Sequence, residues 1–227
     1  SNIDLSRFLP LEVDLTKEES IKNAVNQTIQ KFGQIDVLVN NAGFGIFGSI
    51  EESTSEDFHN IFEINVFAVH LVIQKVLPFM REKKNGCILN LSSIAGIAPR
   101  GGNGLYAATK AALIAMTESL RKELSEFNIK CCAICPGPFH TNFQATLQVA
   151  GTNIPAYSKV HEATNDFLSS ELPGDPHKAA RVIIKLSSIE EPPGVFVLGQ
   201  MAFDRAKQYY SDTLNSISEF QYLSLDA

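Results

Sequence analysis

Tyr106 and Lys110, four positions apart, are the residues whose types and spacing most clearly suggest chemistry in this sequence. In an α-helix, positions i and i+4 lie on one face, so the lysine ammonium would lie close to the phenol. A free tyrosine has a pKa of about 10, and a nearby cation favours its ionised form. The spacing therefore predicts an adjustable proton donor and acceptor, although the same pattern also occurs as an exposed tyrosine beside a solvated lysine.

Two polar residues precede this pair. Ser93 lies at the end of a predicted strand, and Asn65 lies on a helix face that is otherwise apolar. Alternation along the strand points the neighbouring Ser92 to the opposite side, so Ser93 is the candidate. Asn65 has a second interpretation, as a core asparagine whose side chain bonds to backbone.

The order and spacing of these residues resemble the motifs of the short-chain dehydrogenase/reductase family over roughly residues 11 to 200. The resemblance implies one Rossmann-type domain over residues 1–227 that binds NAD or NADP. It also implies hydride transfer between the cofactor and a secondary alcohol or its ketone. The matching motifs are Asn41-Ala-Gly43 after an apolar strand, Asn65, Ser93 within L-S-S-I-A-G, Tyr106-x-x-x-Lys110, and Pro136-Gly137 with Thr141.

The resemblance implies a role for each candidate catalytic residue. Tyr106 would be the general acid/base, and Lys110 would lower its pKa and contact the nicotinamide ribose. Ser93 would hold the substrate oxygen. Asn65 would keep its helix locally open and support a water relay to solvent.

Cofactor contacts beyond Tyr106 and Lys110 are also implied. One of them, Asp14, has an alternative interpretation, because V-D-L-T is also an ordinary strand end before a helix. The contacts are Asp14 at the adenine amine, Asn40, Ala42 and Gly43 along the adenosine, and Pro136, Gly137 and Thr141 around the nicotinamide carboxamide.

The family opens with a strand and a glycine-rich turn that brings a helix N-terminus onto the pyrophosphate. These 227 residues contain no such opening, and we expect the first βαβ portion to be absent. Gly43-Phe-Gly-Ile-Phe-Gly48 formally matches G-x-G-x-x-G, but we reject it because residues 49–53 intervene before the next helix. The alternative function is a non-catalytic binding or regulatory protein that lost its phosphate-binding half. The choice between NAD and NADP is normally made in the second strand.

The elements that must position these residues alternate between short apolar runs and longer segments of helical period. This alternation predicts an α/β, doubly wound parallel sheet with its ligand site at the carboxyl ends of the strands. Two capping boxes, Thr16 with Glu19 and Ser53 with Glu56, predict helix starts. We expect helices at about 16–33, 53–78, 106–127 and 176–188, and strands at about 35–40, 87–92, 130–135 and 195–198.

Residues 139–175 are expected to form the substrate-binding loop region. The predicted substrate is a small apolar alcohol or ketone. The tail from Leu198 to Leu225 resembles a hydroxysteroid- or retinol-dehydrogenase-like subgroup, which says little about the substrate. The predicted apolar walls are Phe44, Ile46, Phe47, Ile94, Ala95, Ile97, Phe143, Leu147 and Tyr157.

The composition excludes several classes of protein. A net charge of -6 and a pI near 5.4 argue against a nucleic-acid partner. No apolar run approaches the roughly 20 residues that span a membrane, and residues 1–10 lack the pattern of a leader. We therefore expect a cytoplasmic protein, and the resemblance implies a homodimer or homotetramer.

Cysteine and histidine patterns favour no metal site. Cys132 and Cys135 form a C-x-x-C, but it lies with Cys131 in a predicted buried strand, which favours reduced structural thiols, as for Cys87. The five histidines show no metal-binding spacing. A hydrolase-like use of Ser93 is poorly supported, because no histidine or aspartate lies where a nucleophile relay needs one.

Overall fold

A computed structural model describes residues 6–170 and 174–226. The main sheet is parallel, with strand order β1-β3-β4-β6, and a separate parallel pair joins β2 with β5. The strands are β1 (Val37–Asn40), β2 (Ile46–Phe47), β3 (Gly86–Leu91), β4 (Ile129–Pro136), β5 (Gln148–Val149) and β6 (Val195–Leu198).

The helices alternate with these strands, as the sequence predicts. A π-helical turn, Glu63–Phe67, joins the second and third helices into one continuous rod. The helices are α1 (Glu18–Phe32), α2 (Ser55–Phe62), α3 (Ala68–Lys83), α4 (Gly104–Glu123), α5 (Ser158–Ser169), α6 (Pro176–Ser187), α7 (Gln200–Glu219) and α8 (Gln221–Ser224).

Helices cover both faces of the main sheet, because alternate strand residues point to opposite sides. Ile88 and Cys131 pack with residues of α1, α3 and α4. Leu89 and Cys132 face the other side, where Leu186 of α6 packs. The predicted doubly wound α/β fold is therefore confirmed.

The four cysteines lie in β3 and β4, and all are buried and free. Burial raises the pKa of Cys131 and of Cys132 to about 12, which suppresses thiolate formation. The predicted burial of these thiols within the sheet is confirmed. In the part of the chain that the structure describes, no group of three or more His, Cys, Asp or Glu side chains could hold a metal ion.

The capping box predicted at Ser53 and Glu56 is wrong by one residue. Thr54 is the N-cap of α2, and its hydroxyl accepts a 3.0 Å hydrogen bond from the Asp57 backbone N–H. The Asp57 carboxylate accepts a 2.9 Å bond from the Thr54 N–H in return. Ser53 with Glu56 and Thr54 with Asp57 both place an acidic residue three positions after a hydroxyl residue. The backbone geometry selects the second pair.

The rod from Ser55 to Lys83 is the segment that bears on the expectation of no membrane span. It is the one helical stretch among the described residues that is long and apolar enough by length and composition. Of the most apolar 18-residue stretch of this rod, 39% is buried inside the protein. The α3 part of the rod packs against α1 and β3. Core helices meet the same criteria, so this is a weak indication of a membrane span.

The predicted loop region 139–175 includes residues 171–173, which lie outside the described residues. The rest carries β5, α5 and two short 3₁₀ turns. A buried carboxylate holds it: Glu52 accepts hydrogen bonds from the Ile154 backbone N–H at 2.7 Å and the Ser49 N–H at 2.9 Å. His161 of α5 lies 2.7 Å from the same carboxylate. The loop region is therefore tied to the turn that precedes α2.

Candidate active site

A cleft of about 400 Å³ opens at the carboxyl ends of β1, β3 and β4. This position and volume are typical of ligand sites in parallel α/β folds. Several predicted site residues line it, while Asp14, Asn40, Ala42 and Asn65 do not. The predicted residues in its lining are Gly43, Ser93, Tyr106, Lys110, Pro136, Gly137 and Thr141.

Tyr106 and Lys110 lie in the first turns of α4, which begins at Gly104. Both side chains are buried. The Lys110 ammonium lies 5.7 Å from the centre of the Tyr106 ring and donates a 2.8 Å hydrogen bond to the Leu91 carbonyl. The i, i+4 spacing thus brings the pair together, and the end of β3 fixes the ammonium.

The pKa values of this pair correct one expectation. Burial raises the pKa of Tyr106 to about 12, and the neighbouring Ser93 hydroxyl opposes that shift. Burial lowers the pKa of Lys110 to about 8. Desolvation of the buried phenol therefore outweighs the lowering of the tyrosine pKa that was expected from Lys110. At neutral pH the phenol keeps its proton and the ammonium keeps most of its charge.

Ser93 follows the end of β3 and caps a short 3₁₀ turn. Its oxygen accepts a 3.1 Å hydrogen bond from the Ala95 backbone N–H, which leaves the hydroxyl hydrogen as a donor toward the cleft. The neighbouring Ser92 instead donates to the Lys110 backbone carbonyl at 2.7 Å. The two serines therefore differ as strand alternation predicts.

Asn65 lies inside the π-helical turn and is fully buried. Its Nδ2 donates to the Phe44 carbonyl at 2.9 Å and to the Thr109 hydroxyl at 3.1 Å. Its Oδ1 accepts from the Phe44 N–H at 3.1 Å. The helix is open where the resemblance implied, but the side chain is engaged by the protein, as the alternative interpretation held.

Gly43 lies next to the side chains of Asn65 and Lys110. A Cβ at this position would lie 2.9 Å from Asn65 Oδ1 and 3.4 Å from Lys110 Nζ. Only a residue without a side chain fits there undisturbed. The structure also supports rejecting Gly43 to Gly48 as a phosphate loop, because β2 occupies Ile46–Phe47 and no helix begins until Ser55.

Pro136, Gly137 and Thr141 line the cleft beyond the end of β4. The Gly137 N–H donates to the Leu198 carbonyl at 2.9 Å, which holds this turn against β6. The Thr141 hydroxyl accepts from the Phe143 N–H at 3.3 Å. These residues form one wall of the cleft.

Asn40 lies inside the sheet instead of along the cleft. Its Nδ2 donates to Asn90 Oδ1 at 2.8 Å, and Asn90 donates to the Thr117 hydroxyl at 2.9 Å. This buried chain of bonds connects β1, β3 and α4. Asn41 lines the cleft, but it was not among the predicted cofactor contacts. Strand alternation was the available signal, because it places Asn41 on the opposite side from Asn40.

Asp14 has a local role in the structure. Its carboxylate accepts bonds from the Thr16 hydroxyl at 2.6 Å and the Thr16 N–H at 3.0 Å, and pairs with Lys17 at 3.0 Å. These contacts, the Thr16 hydroxyl first, lower its pKa to about 2. The predicted Thr16–Glu19 capping box is therefore wrong, since the Thr16 hydroxyl is used by Asp14.

The apolar walls were predicted in part. Ile46 and Ile97 are core residues instead, and Phe44 and Tyr157 lie outside the lining. Phe139 and Phe167, from the predicted loop region 139–175, also line the cleft. No sequence pattern pointed to Arg100 or Arg205, which line it as well. The predicted walls that do line it are Phe47, Ile94, Ala95, Phe143 and Leu147.

Comparison with known proteins identifies the family of this chain. Residues 2–150 match the model of the family described as short chain dehydrogenase. A 3-ketodihydrosphingosine reductase from Bacteroides thetaiotaomicron is 34% identical over 93% of this chain and 81% of its own length.

Two solved structures are also similar. A short-chain dehydrogenase from Streptomyces avermitilis has a TM-score of 0.89 and 33% identity, covering 95% of this chain and 80% of that one. A 3-ketoacyl-(acyl-carrier-protein) reductase from Brucella melitensis, complexed with NADH, has a TM-score of 0.70 and 28% identity, covering 84% and 75%. The chain belongs to the short-chain dehydrogenase family of oxidoreductases.

Proposed function

We propose that this protein interconverts a secondary alcohol and a ketone with NAD or NADP, and that Tyr106 moves the hydroxyl proton. The observation that carries the proposal is the convergence of Ser93, Tyr106 and Lys110 on one largely apolar cleft at the strand ends. A hydroxyl donor, a buried phenol and a buried ammonium are the groups that carbonyl reduction requires.

The cleft fits the nicotinamide end of such a cofactor. Gly43 and Gly137 leave its floor without side chains at the ends of β1 and β4, where a flat ring could approach the backbone. Lys110 would hold the ribose, and Pro136 with Thr141 would frame the carboxamide. When bound, the reduced cofactor supplies the hydride for the carbonyl carbon.

The protein's own residues handle the carbonyl oxygen. The Ser93 hydroxyl would donate a hydrogen bond to it, and Tyr106 would donate its phenolic proton to the same oxygen. The Lys110 charge, 5.7 Å from the ring centre, would stabilise the phenolate left behind. Asn65 acts as a positioning residue, because its side chain is engaged by Phe44 and Thr109.

The raised pKa of Tyr106 favours one direction. A phenol with a pKa of about 12 is protonated at neutral pH and ready to donate, whereas alcohol oxidation first needs the phenolate. At neutral pH the phenol is therefore in the protonated form from which ketone reduction starts.

The test is a screen of ketones and secondary alcohols, steroids included, with reduced and oxidised NAD and NADP. Nicotinamide absorbance reports turnover, and Tyr106→Phe is the paired variant. Turnover that is lost in the variant supports the proposal. Cofactor and ligand binding with no turnover of any compound would contradict it and identify the non-catalytic alternative.

We also propose a homodimer or homotetramer formed through the rod of α2 and α3. Phe58 and Phe67 on this rod are 46% and 49% exposed, which leaves apolar surface for a second copy to cover. Light scattering of the purified protein measures its mass in solution. A monomer at micromolar concentration would contradict this assembly.

A further inference from the structure

Arg100 and Arg205 lie in the wall of the cleft, and no carboxylate of the described residues pairs with them. Both side chains are partly buried, and neither forms an ion pair within residues 6–170 and 174–226. Arg205 donates to the Ala98 carbonyl. The Nε of Arg100 is buried and has no hydrogen-bond partner in the same described ranges.

This arrangement is costly unless an anion is nearby. Burial lowers the pKa of both arginines, and the charge of Arg100 lowers the pKa of Arg205 further. Two like charges thus share the wall of one partly desolvated cleft. Buried charges are ordinarily paired.

Packing on an aromatic ring accounts for only part of Arg100. Its guanidinium carbon lies 3.9 Å from the centre of the Phe167 ring, so one face of the group has a cation-π partner. A guanidinium carries five N–H donors around its edge, and stacking does not satisfy them. Its buried Nε–H in particular still lacks an acceptor among the described residues.

A row of aromatic rings connects the proposed catalytic end of the cleft with Arg100. The Tyr106 and Phe47 ring centres are 6.3 Å apart, and the Phe47 and Phe167 centres are 6.4 Å apart. All of these side chains line the same cleft. The cleft thus has a proton donor at one end, an apolar wall two rings long, and a cationic end.

We propose that the substrate carries an anionic group, a carboxylate or a phosphate or sulfate ester, which Arg100 and Arg205 bind. An apolar spacer along Phe47 and Phe167 would separate this group from the carbonyl that Tyr106 protonates. Planar arginine groups suit such oxyanions because they form paired N–H to oxygen hydrogen bonds. This inference names a substrate class and rests on the proposed function.

The experiment compares (ω−1)-oxo fatty acids, from hexanoate to dodecanoate, with their methyl esters. The wild type should have a higher kcat/KM for an acid than for its methyl ester. The difference should be largest for the chain length that places the ketone at Tyr106 and the carboxylate at the two arginines. In Arg100→Gln and in Arg205→Gln, the ratio of kcat/KM for acid to kcat/KM for ester should fall about tenfold or more, since hydrogen bonds to charged groups are the strong ones. The loss should appear in KM, because neither arginine touches the reacting atoms.

Lys207→Gln is the matched control. Lys207 is an exposed cation on the same helix as Arg205 and lies outside the cleft lining. Its removal should leave the acid-to-ester ratio unchanged. An equal fall in this control would show a general charge effect and overturn the proposal.

Calorimetric titration of Tyr106→Phe with acid and ester separates this inference from the proposed function. Tighter binding of the acid that is lost with either arginine supports the anion site even where no compound is turned over. Turnover of acid and ester with equal KM overturns the anion site and leaves the oxidoreductase intact. Arg100→Gln and Arg205→Gln could instead raise the KM for NADPH and leave the KM for the acid unchanged. That result would assign the arginines to the cofactor and would also overturn the anion site.

Discussion

A hydrogen bond of 3.1 Å from Asn65 Nδ2 to Thr109 Oγ1 connects the π-helical turn to the helix that carries Tyr106 and Lys110. The Thr109 hydroxyl donates in turn to the Tyr106 backbone carbonyl at 2.8 Å. Asn65 and Thr109 are both fully buried, so water does not compete for these bonds. The connection fixes the start of α4 relative to the loop after β1.

Thr109→Val should lower the free energy of unfolding by about 1–3 kcal/mol, because it leaves one buried Asn65 N–H without a partner. It should also lower kcat, because the Tyr106 backbone carbonyl loses its hydrogen bond from the Thr109 hydroxyl. Thr109→Ser retains the hydroxyl and should keep kcat near wild type. Urea unfolding and steady-state kinetics measure both effects, and equal kcat values in the two variants would contradict the bracing role.

Tyr106→Phe should lower kcat by roughly 100-fold or more, because it removes the proton donor while keeping the ring in place. The ring contacts Phe47 and Phe143, so the midpoint of thermal unfolding should change little. Tyr209→Phe, at an exposed tyrosine of α7, is the control and should keep full activity. A Tyr106 variant with more than about a tenth of wild-type activity would contradict the assignment.

The pH dependence of ketone reduction should follow Lys110. Its pKa of about 8 means that the ammonium is charged at neutral pH and loses its proton as the pH rises through about 8. Tyr106 stays protonated over that range, because its pKa is about 12. The reduction rate should therefore be flat near neutrality and fall above about pH 8. Lys110→Met should be slower and lack this fall; a fall of the same shape in the variant would assign it to another group.

Gly43→Ala should lower kcat by displacing Asn65 and Lys110, since the added carbon would lie 2.9 Å and 3.4 Å from their side-chain ends. Gly101→Ala is the control, because nothing lies within 4 Å of a Cβ there. Kinetics and thermal unfolding of both variants separate a change at the site from global destabilisation. Unchanged kcat in the Gly43 variant would show that the site tolerates the extra carbon.

Glu52→Gln should loosen the loop region that carries α5. The Ile154 N–H, the first of several donors, lowers the pKa of Glu52 to about 2, so the folded protein binds this proton less tightly than the unfolded chain. The stability from Glu52 is therefore present above about pH 4.5 and is lost as the pH falls towards about 2.

In the Glu52 variant, proteolysis near residues 154–161 should accelerate at neutral pH, and the acid-dependent loss of stability should shrink. Glu56→Gln, at an exposed carboxylate in the first turn of α2, should change neither. Limited proteolysis and unfolding between pH 2 and 7 measure both effects. Cleavage of the Glu52 variant at the wild-type rate would show that the Glu52 carboxylate does not hold the loop region in place.

Local sequence rules located the four strands of the main sheet and the helices between them, but not α5 or α7, and not the ends of the helices. Both capping boxes fit the pattern, yet Thr54 instead of Ser53 is the N-cap of α2, and Thr16 bonds to Asp14 instead of capping α1. A capping rule specifies residue types over four positions, whereas the start of a helix also depends on how it packs against its neighbours.

The sequence by itself determined the parallel α/β fold and the placement of Ser93, Tyr106 and Lys110, because strand ends and the i, i+4 spacing are local geometry. The tertiary structure decided what depends on distant residues. It commits Asn40 to Asn90 within the sheet, and burial raises the Tyr106 pKa where a neighbouring cation was expected to lower it. It also brings Arg100 and Arg205 to one cleft. Burial and charge pairing are set by the surroundings of a side chain in three dimensions, which no spacing along the chain specifies.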